Sequence, residues 1–346
     1  MDFSTENSEQ KYLQTLQYII DNGYKKSNRT GIDSFCVPGV TLKFPLYDHK
    51  YNKAVLPALT SKQVFIKTAL KELLWFISGG TNTKELVEQN VHIWDDNATR
   101  KFLNSRGLKK YPEGELGPIY GYQWRTWNMI FETNGDGSGG GGSNSEAVSE
   151  PSGTTEEGSS NSNDSEEDSE GEPIDQLAEV IENLKKDPMS RRHIVSAWNP
   201  EQLKEMALPP CHYAFQFVVV PIRIHGKNVE KRKYELHCIV TMRSGDMFLG
   251  VPFNIISYAF LTHAVAHLVH MRPGSVTLNI GDAHVYENHV KQCKTQIARS
   301  SDLHPYPWIS IERNSKEIED IDGYNLDDFK IKNYKHHPAI KGKMAV

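Results

Sequence analysis

Between Ile255 and His270 the chain is apolar nearly all round when wound as a helix. A surface helix keeps a polar face, so this one needs packing partners on every side. It belongs in the middle of a domain large enough to enclose it. The rest of the sequence supplies the partners. Residues 9–22 carry Leu13, Leu16, Ile19 and Ile20 at three-to-four spacing with Gly23 as a stop, and predict a helix. Lys62–Ser78 predicts a second, with Val64, Phe65, Ala69, Leu73, Phe76 and Ile77 as its buried stripe. β-Branched and aromatic runs predict strands near Phe35–Phe44, Tyr213–Ile222, Tyr234–Met242, Val276–Ile280 and Trp308–Glu312. Helices and strands mix without regular βαβ alternation. The expected fold class is therefore α+β, a single domain over residues 1–346 built on a large sheet with a long buried helix.

One stretch cannot join that core. From Glu132 to Glu172 only Ala147 and Val148 are apolar, and 12 acidic residues stand without a Lys or Arg. Such a segment cannot bury enough surface to offset chain entropy, so residues 132–172 are expected to be a disordered acidic insertion. Its Ser165-Glu-Glu-Asp and Ser169-Glu-Gly-Glu runs resemble sites of acidic-directed kinases. Helical periodicity resumes at Ile174, Leu177, Ile181 and Leu184, so the tract interrupts a domain and does not separate two. The other 305 residues hold 39 Lys and Arg against 32 Asp and Glu, a formal +7 behind an overall −5. A mildly basic body points to anionic ligands.

Several classes fall away. No stretch approaches the roughly 18 apolar residues of a membrane span. The N-terminus MDFSTENSEQ is polar and acidic, unlike a secretory signal or an Arg-rich transit peptide. Four Cys without CxxC pairing are no disulfide framework. The expected setting is a reducing one, cytoplasmic or also nuclear. There is no P-loop and no G-x-G-x-x-G. His263, His267 and His270 have helical spacing suited to a metal, but no Glu follows the first, and no metal is expected. The basic run Lys227–Lys233 reads as a solvated tip between two paired strands, and nucleic-acid binding is not expected there.

The candidate chemistry lies at element ends. Cys211 follows Leu208-Pro209-Pro210 where a loop becomes a strand, whereas Cys36, Cys238 and Cys293 read as buried small hydrophobes. Arg29, Arg191, Arg192 and Arg243 stand at turns and strand junctions. With Ser244 nearby, they form the kind of set that clamps a phosphate dianion. Glu72 lies within an apolar helical stripe, where a carboxylate is costly unless a helix end, a tilt or chemistry accounts for it. Asn254 reads either as the cap of the central helix or as an amide that pairs with an imide edge. His284 and Tyr286 fall two apart and share a face if that segment is a strand.

Taken in order, these residues resemble the thymidylate synthase family. The matches are Arg29-Thr-Gly, Glu72-Leu-Leu-Trp-Phe-Ile, Ile93-Trp94-Asp95, Gly117-Pro-Ile-Tyr120-Gly-Tyr-Gln-Trp-Arg125, Arg191-Arg192 with Ala197-Trp-Asn-Pro200, and Leu208-Pro-Pro-Cys211-His212. Gln216-Phe217, Arg243-Ser-Gly-Asp246, Leu249-Gly-Val-Pro-Phe-Asn254-Ile, Asp282-Ala-His284-Val-Tyr286 and Lys343-Met-Ala-Val346 follow. The Ile93-to-Asn97 run and the Met-Ala-Val end resemble eukaryotic members, and the length suits a monofunctional one. Gly342-Lys343 departs from the acidic or apolar pair usual there.

The resemblance implies the thymidylate synthase fold and the conversion of dUMP to dTMP, for dTTP synthesis, with 5,10-methylenetetrahydrofolate as co-substrate. It implies Cys211 as the nucleophile at uracil C6, with Arg243 favouring its thiolate. Arg29, Arg243 and Ser244 would hold the phosphate, joined across an obligate homodimer by Arg191 and Arg192. Gln216, Asp246, Asn254, His284 and Tyr286 complete the implied nucleotide site, with Asn254 on N3 and O4 and the last two on the ribose. Glu72 would organise protons at O4 and the folate nitrogens, and Tyr120 would help remove the C5 proton. The implied folate site is Phe65, Ile93, Trp94, Asn97, Asp246, Leu249, Gly250 and Phe253, closed by Met344 and Ala345. A dUMP hydroxymethylase and an RNA-binding regulator are the rival readings.

Overall fold

A computed structural model describes residues 5–133, 172–222 and 233–344. Its helices are α1 (Thr5–Asn22), α2 (Ile66–Ile77), α3 (Lys84–Glu88), α4 (Asp95–Ala98), α5 (Arg100–Ser105), α6 (Tyr120–Arg125), α7 (Gln176–Lys186), α8 (Gly250–Leu268) and α9 (Val290–Ile297). Its strands are β1 (Tyr24–Lys26), β2 (Ser34–Pro45), β3 (Tyr47–Asp48), β4 (Lys53–Ala54), β5 (Ile194–Ser196), β6 (His212–Pro221), β7 (Tyr234–Asp246), β8 (Arg272–Tyr286), β9 (Trp308–Ile311) and β10 (Phe329–Lys332). Six of them form one sheet in the order β1-β2-β8-β7-β6-β5. Strands from both sides of the acidic tract share it.

The sheet is antiparallel except between β7 and β8, which run parallel. Parallel neighbours need a long crossover, and α8 is that crossover. This is why α8 has no polar face: it lies against β7 and β8 on one side and α2 on the other, and almost every residue from Ile255 to Ala266 is buried. By length and apolarity alone α8 could cross a membrane, contrary to the expectation that no stretch approaches such a span. Here it is the core helix.

The mixed topology also collects several of the predicted site residues at one end of the sheet. Parallel β7 and β8 finish side by side, with Ser244 opposite Asp282 and Asp246 opposite His284. β6 runs against β7, so its start at Cys211 and His212 lies beside the end of β7. β2 runs against β8, so the Arg29 turn before it lies near Tyr286, which pairs with Ser34.

Several boundaries differ from the sequence reading. α2 begins at Ile66 with Phe65 as its N-cap, and Phe65 is 56% exposed, so it is not part of the buried stripe. α7 begins at Gln176, capped by the Asp175 side chain on the Ala178 amide. Ile174 instead pairs with Trp127 in an antiparallel bridge that ties together the described chain on either side of the acidic tract. β8 is a 15-residue strand and not a short one. Asn254 does not cap α8: the cap is Leu249, and Asn254 lies inside the helix. Cys36 is half-buried, unlike Cys238 and Cys293. Most of the acidic tract, with both serine runs, lies outside the described residues, as do the basic tip up to Arg232 and Ala345-Val346.

Candidate active site

Cys211 sits in the loop that enters β6, and two neighbours fix it. Its backbone amide donates to the Tyr120 hydroxyl at 2.8 Å. Its carbonyl accepts from the Arg243 amide at 2.8 Å, which locks the loop to β7. The Arg243 side chain folds back over that loop. Nε donates to the Pro210 carbonyl at 2.9 Å and Nη2 to the Pro209 carbonyl at 2.8 Å, with Nη2 also 3.6 Å from Cys211 Sγ. A fixed positive charge therefore stands beside a half-buried thiol, the setting a sulfur nucleophile needs. The two prolines matter because they hold their carbonyls where the guanidinium can use them.

Tyr120 comes from the first residue of α6, which packs on α2 through a glycine. A Cβ on Gly121 would fall 2.3 Å from the Phe76 carbonyl oxygen, so only glycine allows this approach. Tyr120 is thereby wedged against Phe76, with centroids 4.9 Å apart, and stacked on His212 at 4.2 Å. Burial holds its phenol well above the ordinary range, with the Cys211 charge adding to the effect. The His212 ring bonds the Tyr258 hydroxyl at 2.8 Å, and burial lowers its pKa to about 3, so it is neutral.

Across the aromatic cluster lies Glu72. The Trp94 indole donates to its Oε1 at 2.8 Å, and Trp94 meets Tyr120 edge-on at 6.0 Å. Burial of the carboxyl pushes its pKa up to about 7, against a smaller lowering by the Trp94 bond. A carboxyl poised there exchanges protons at neutral pH.

Asp246 closes β7. Its Oδ1 accepts from the Phe248 and Leu249 amides at 2.9 and 3.2 Å and shapes the turn into α8. The Met247 amide donates to the His284 carbonyl, joining this turn to β8. Lys62 lies beneath it, buried, donating to the Phe248 carbonyl and 3.7 Å from that ring's centroid. Burial lowers its pKa to about 8. His284 and Tyr286 meet edge to face at 5.1 Å on one side of β8, as their spacing required. His284 and then Lys26 hold the Asp282 carboxyl down at about 2. Burial raises the Tyr286 phenol above its ordinary range, with Asp246 adding to the rise and Arg29 opposing it.

The remaining predicted residues surround this centre unevenly. Trp94 and Asn97 are buried at α4, and Ile93, Leu249 and Phe253 pack against the core. Gly250 opens α8, Phe65 is exposed, and Met344 is exposed at the tail. Arg29 lies over the Phe102 ring at 5.8 Å. Arg191 and Arg192 are exposed and stand apart from the rest. They precede β5, which pairs with β6 from Gln216 back to Ala214, and the Gln216 side chain donates to the Arg191 carbonyl at 3.1 Å. That register starts β5 opposite Gln216, five residues along the chain from Cys211, roughly 15 Å at strand spacing. Among the described residues, no hydrogen bond or ion pair joins them to Cys211, Arg243 or Ser244.

His212, Tyr258 and Lys62 were not assigned from sequence. His212 adjoins Cys211 in the chain, but its stack on Tyr120 depends on how α6 meets β6. Lys62 sat inside a predicted helix that starts four residues later. The three helical histidines do not converge. His263 bonds the Val55 carbonyl, His267 the Tyr324 hydroxyl, and His270 lies past the helix end near Ser315. No metal-ligating group of three is present among the described residues.

Comparison with known proteins points to one family. Residues 10–346 match the family model described as thymidylate synthase. The chain is 40% identical over 340 residues to thymidylate synthase of Homo sapiens, covering 98% of this chain and 91% of that protein. It is 40% identical over 342 residues to thymidylate synthase of Saccharomyces cerevisiae, covering 98% and 97%. The enzyme of Ascaris suum is 38% identical over 343 residues, 99% of each.

Proposed function

The chain belongs to the thymidylate synthase family, and from that premise we propose which of its residues carry each part of the reaction. It is a methyltransferase that converts dUMP to dTMP with 5,10-methylenetetrahydrofolate. The folate supplies a one-carbon unit and then a hydride, leaving as dihydrofolate.

C5 of uracil is a poor nucleophile. Cys211 overcomes this by adding its sulfur to C6, which pushes electron density through C5 onto O4. A C6–S bond forms, and it breaks again after C5 has been alkylated and has lost its proton. Arg243 stabilises the sulfur as an anion and, through its uncommitted Nη1, helps hold the phosphate with Arg29 and Ser244. Asn254 reads N3 and O4 with its paired donor and acceptor, alongside Gln216, and His284 and Tyr286 hold the ribose. Glu72, poised near pH 7, delivers and withdraws a proton at O4 through ordered water. Tyr120 spends its hydroxyl lone pair on the Cys211 amide and keeps its O–H to order water at C5. The carboxyl of Glu72, the aromatic rings of Trp94 and Phe253 and the aliphatic side chains of Ile93 and Leu249 suit a flat heteroaromatic ring. Asp246, Asn97 and Gly250 supply its polar contacts, Phe65 takes the benzoate, and Met344 and Ala345 close over the site to exclude water.

The bracketing of Cys211 by Tyr120 and Arg243 is the observation that carries this reading. We further propose an obligate homodimer in which Arg191 and Arg192 reach the partner's phosphate site. The half-exposed sheet face, with Ile194 at 51% exposure beside Gln216 and Ile239, supports it. We read residues 1–346 as one domain interrupted at 132–172, supported by the shared sheet and the Trp127–Ile174 bridge. Four free thiols suit the cytoplasm or nucleus. The test combines turnover of dUMP and methylenetetrahydrofolate, followed as dihydrofolate absorbance, with trapping by a 5-fluorinated dUMP. Mass spectrometry should place the nucleotide on Cys211. A nucleotide on Cys36, or release of hydroxymethyl-dUMP with tetrahydrofolate, would refute the assignment.

A further inference from the structure

His289 is fully buried, with its ring 5.0 Å from that of Phe248 and 6.0 Å from that of Tyr286. Its Nε2 lies 2.8 Å from the backbone oxygen of Lys343, three residues from the C-terminus. A carbonyl only accepts, so Nε2 is the donor in this bond. Among the described residues, buried Nδ1 has no hydrogen-bond partner. Leaving a polar atom unpaired in the interior is costly. Among the described residues the ring's one hydrogen bond goes to the tail.

Gly342 makes that bond reachable. A Cβ there would lie 2.8 Å from Phe248 Cε1 and 3.0 Å from His289 Nε2. With none, the tail backbone settles onto both rings. Phe248 is itself held from below by Lys62 and through its amide by Asp246. The tail thus rests on the same turn that carries Asp246 and Leu249.

We propose that His289 and Gly342 form a latch that seats the C-terminal strap on the Asp246–Leu249 turn. His289 is then a positioning residue for the folate side of the site, an assignment that rests on the reading of that turn above.

The test is tryptic cleavage of the full ligand-free chain at the Lys343–Met344 bond, read by mass spectrometry as released Met-Ala-Val. The protease must attack the carbonyl that His289 holds, so cleavage reports the latch whatever the activity. Loss of one hydrogen bond predicts roughly fivefold faster release in His289→Leu and Gly342→Val. His289→Gln keeps a donor in place and should release near the wild-type rate. Cleavage after Lys50, in the exposed turn between β3 and β4, should not change. Gly342→Val should unfold at the wild-type temperature, which separates a loosened strap from a damaged fold. In turnover, His289→Leu and Gly342→Val should raise KM for the folate about fivefold with KM for dUMP unchanged. Equal release from all four proteins would overturn the latch and leave synthase activity standing. Faster release in the variants without dihydrofolate formation in wild type would support the latch and sink the functional reading.

Discussion

Glu72 shows how a single residue carries both a cost and a use. Its folded pKa is raised from the ordinary 4.5 to about 7 by burial. The folded chain thus holds a proton that the unfolded chain has released between those values, and stability falls as pH rises through that window. Glu72→Gln removes the penalty and can still accept the Trp94 bond. It should be more stable than wild type by on the order of 2 kcal/mol at pH 8 and nearly equal at pH 4.5. Urea denaturation at both pH values checks this, and a difference that does not change with pH counts against it. The same variant should lose about 10²–10⁴-fold in kcat, with the limb of the pH profile near 7 gone. The sequence exposed Glu72 because a carboxylate in an apolar stripe is anomalous. It could not expose Phe65, which shares the helical spacing but falls before the first turn and points out.

At the level of elements, long periodic segments were readable and their ends were not. α8 announced itself by lacking a polar face. Its true start, five residues before Ile255, is set by the Asp246 turn and Leu249, which hydrophobic periodicity does not register. That shift turns Asn254 from a cap into a helix residue available to a ligand. The crossover role of α8 was hidden too, because parallel pairing of β7 and β8 depends on strands far apart in the chain. The packing of α6 on α2 rests on Gly121, which in sequence is one glycine among 25. Gly121→Ala places a methyl against the Phe76 backbone, which cannot rotate away as a side chain can. We expect a loss of about 1–3 kcal/mol in denaturant unfolding, and a larger proportional loss of kcat as Tyr120 shifts from Cys211. Unchanged stability with full activity would show that α6 can slide without moving Tyr120.

For the whole molecule the question is which parts one chain supplies. Replacing residues 134–171 with a short Gly/Ser linker should leave turnover and the unfolding temperature near wild type, because the Trp127–Ile174 bridge already joins the two sides. The arginines raise the harder issue. Arg191 and Arg192 look like phosphate ligands in sequence, yet the register of β5 on β6 sets them well along the sheet from Cys211. Sequence reveals such a pair without revealing which site it serves, and under the proposed dimer that site belongs to a second copy. Subunit mixing decides it. Arg192→Glu and Cys211→Ala should each be inactive as pure proteins. Mixed under conditions that exchange subunits, half the dimers become hybrids, and each hybrid holds one site with both an intact Cys211 and an intact Arg192. About a quarter of wild-type activity per site should return if the arginine acts across a symmetric interface. If Arg192 serves its own chain, every site in the mixture still lacks one group, and activity stays at the level of the separate variants.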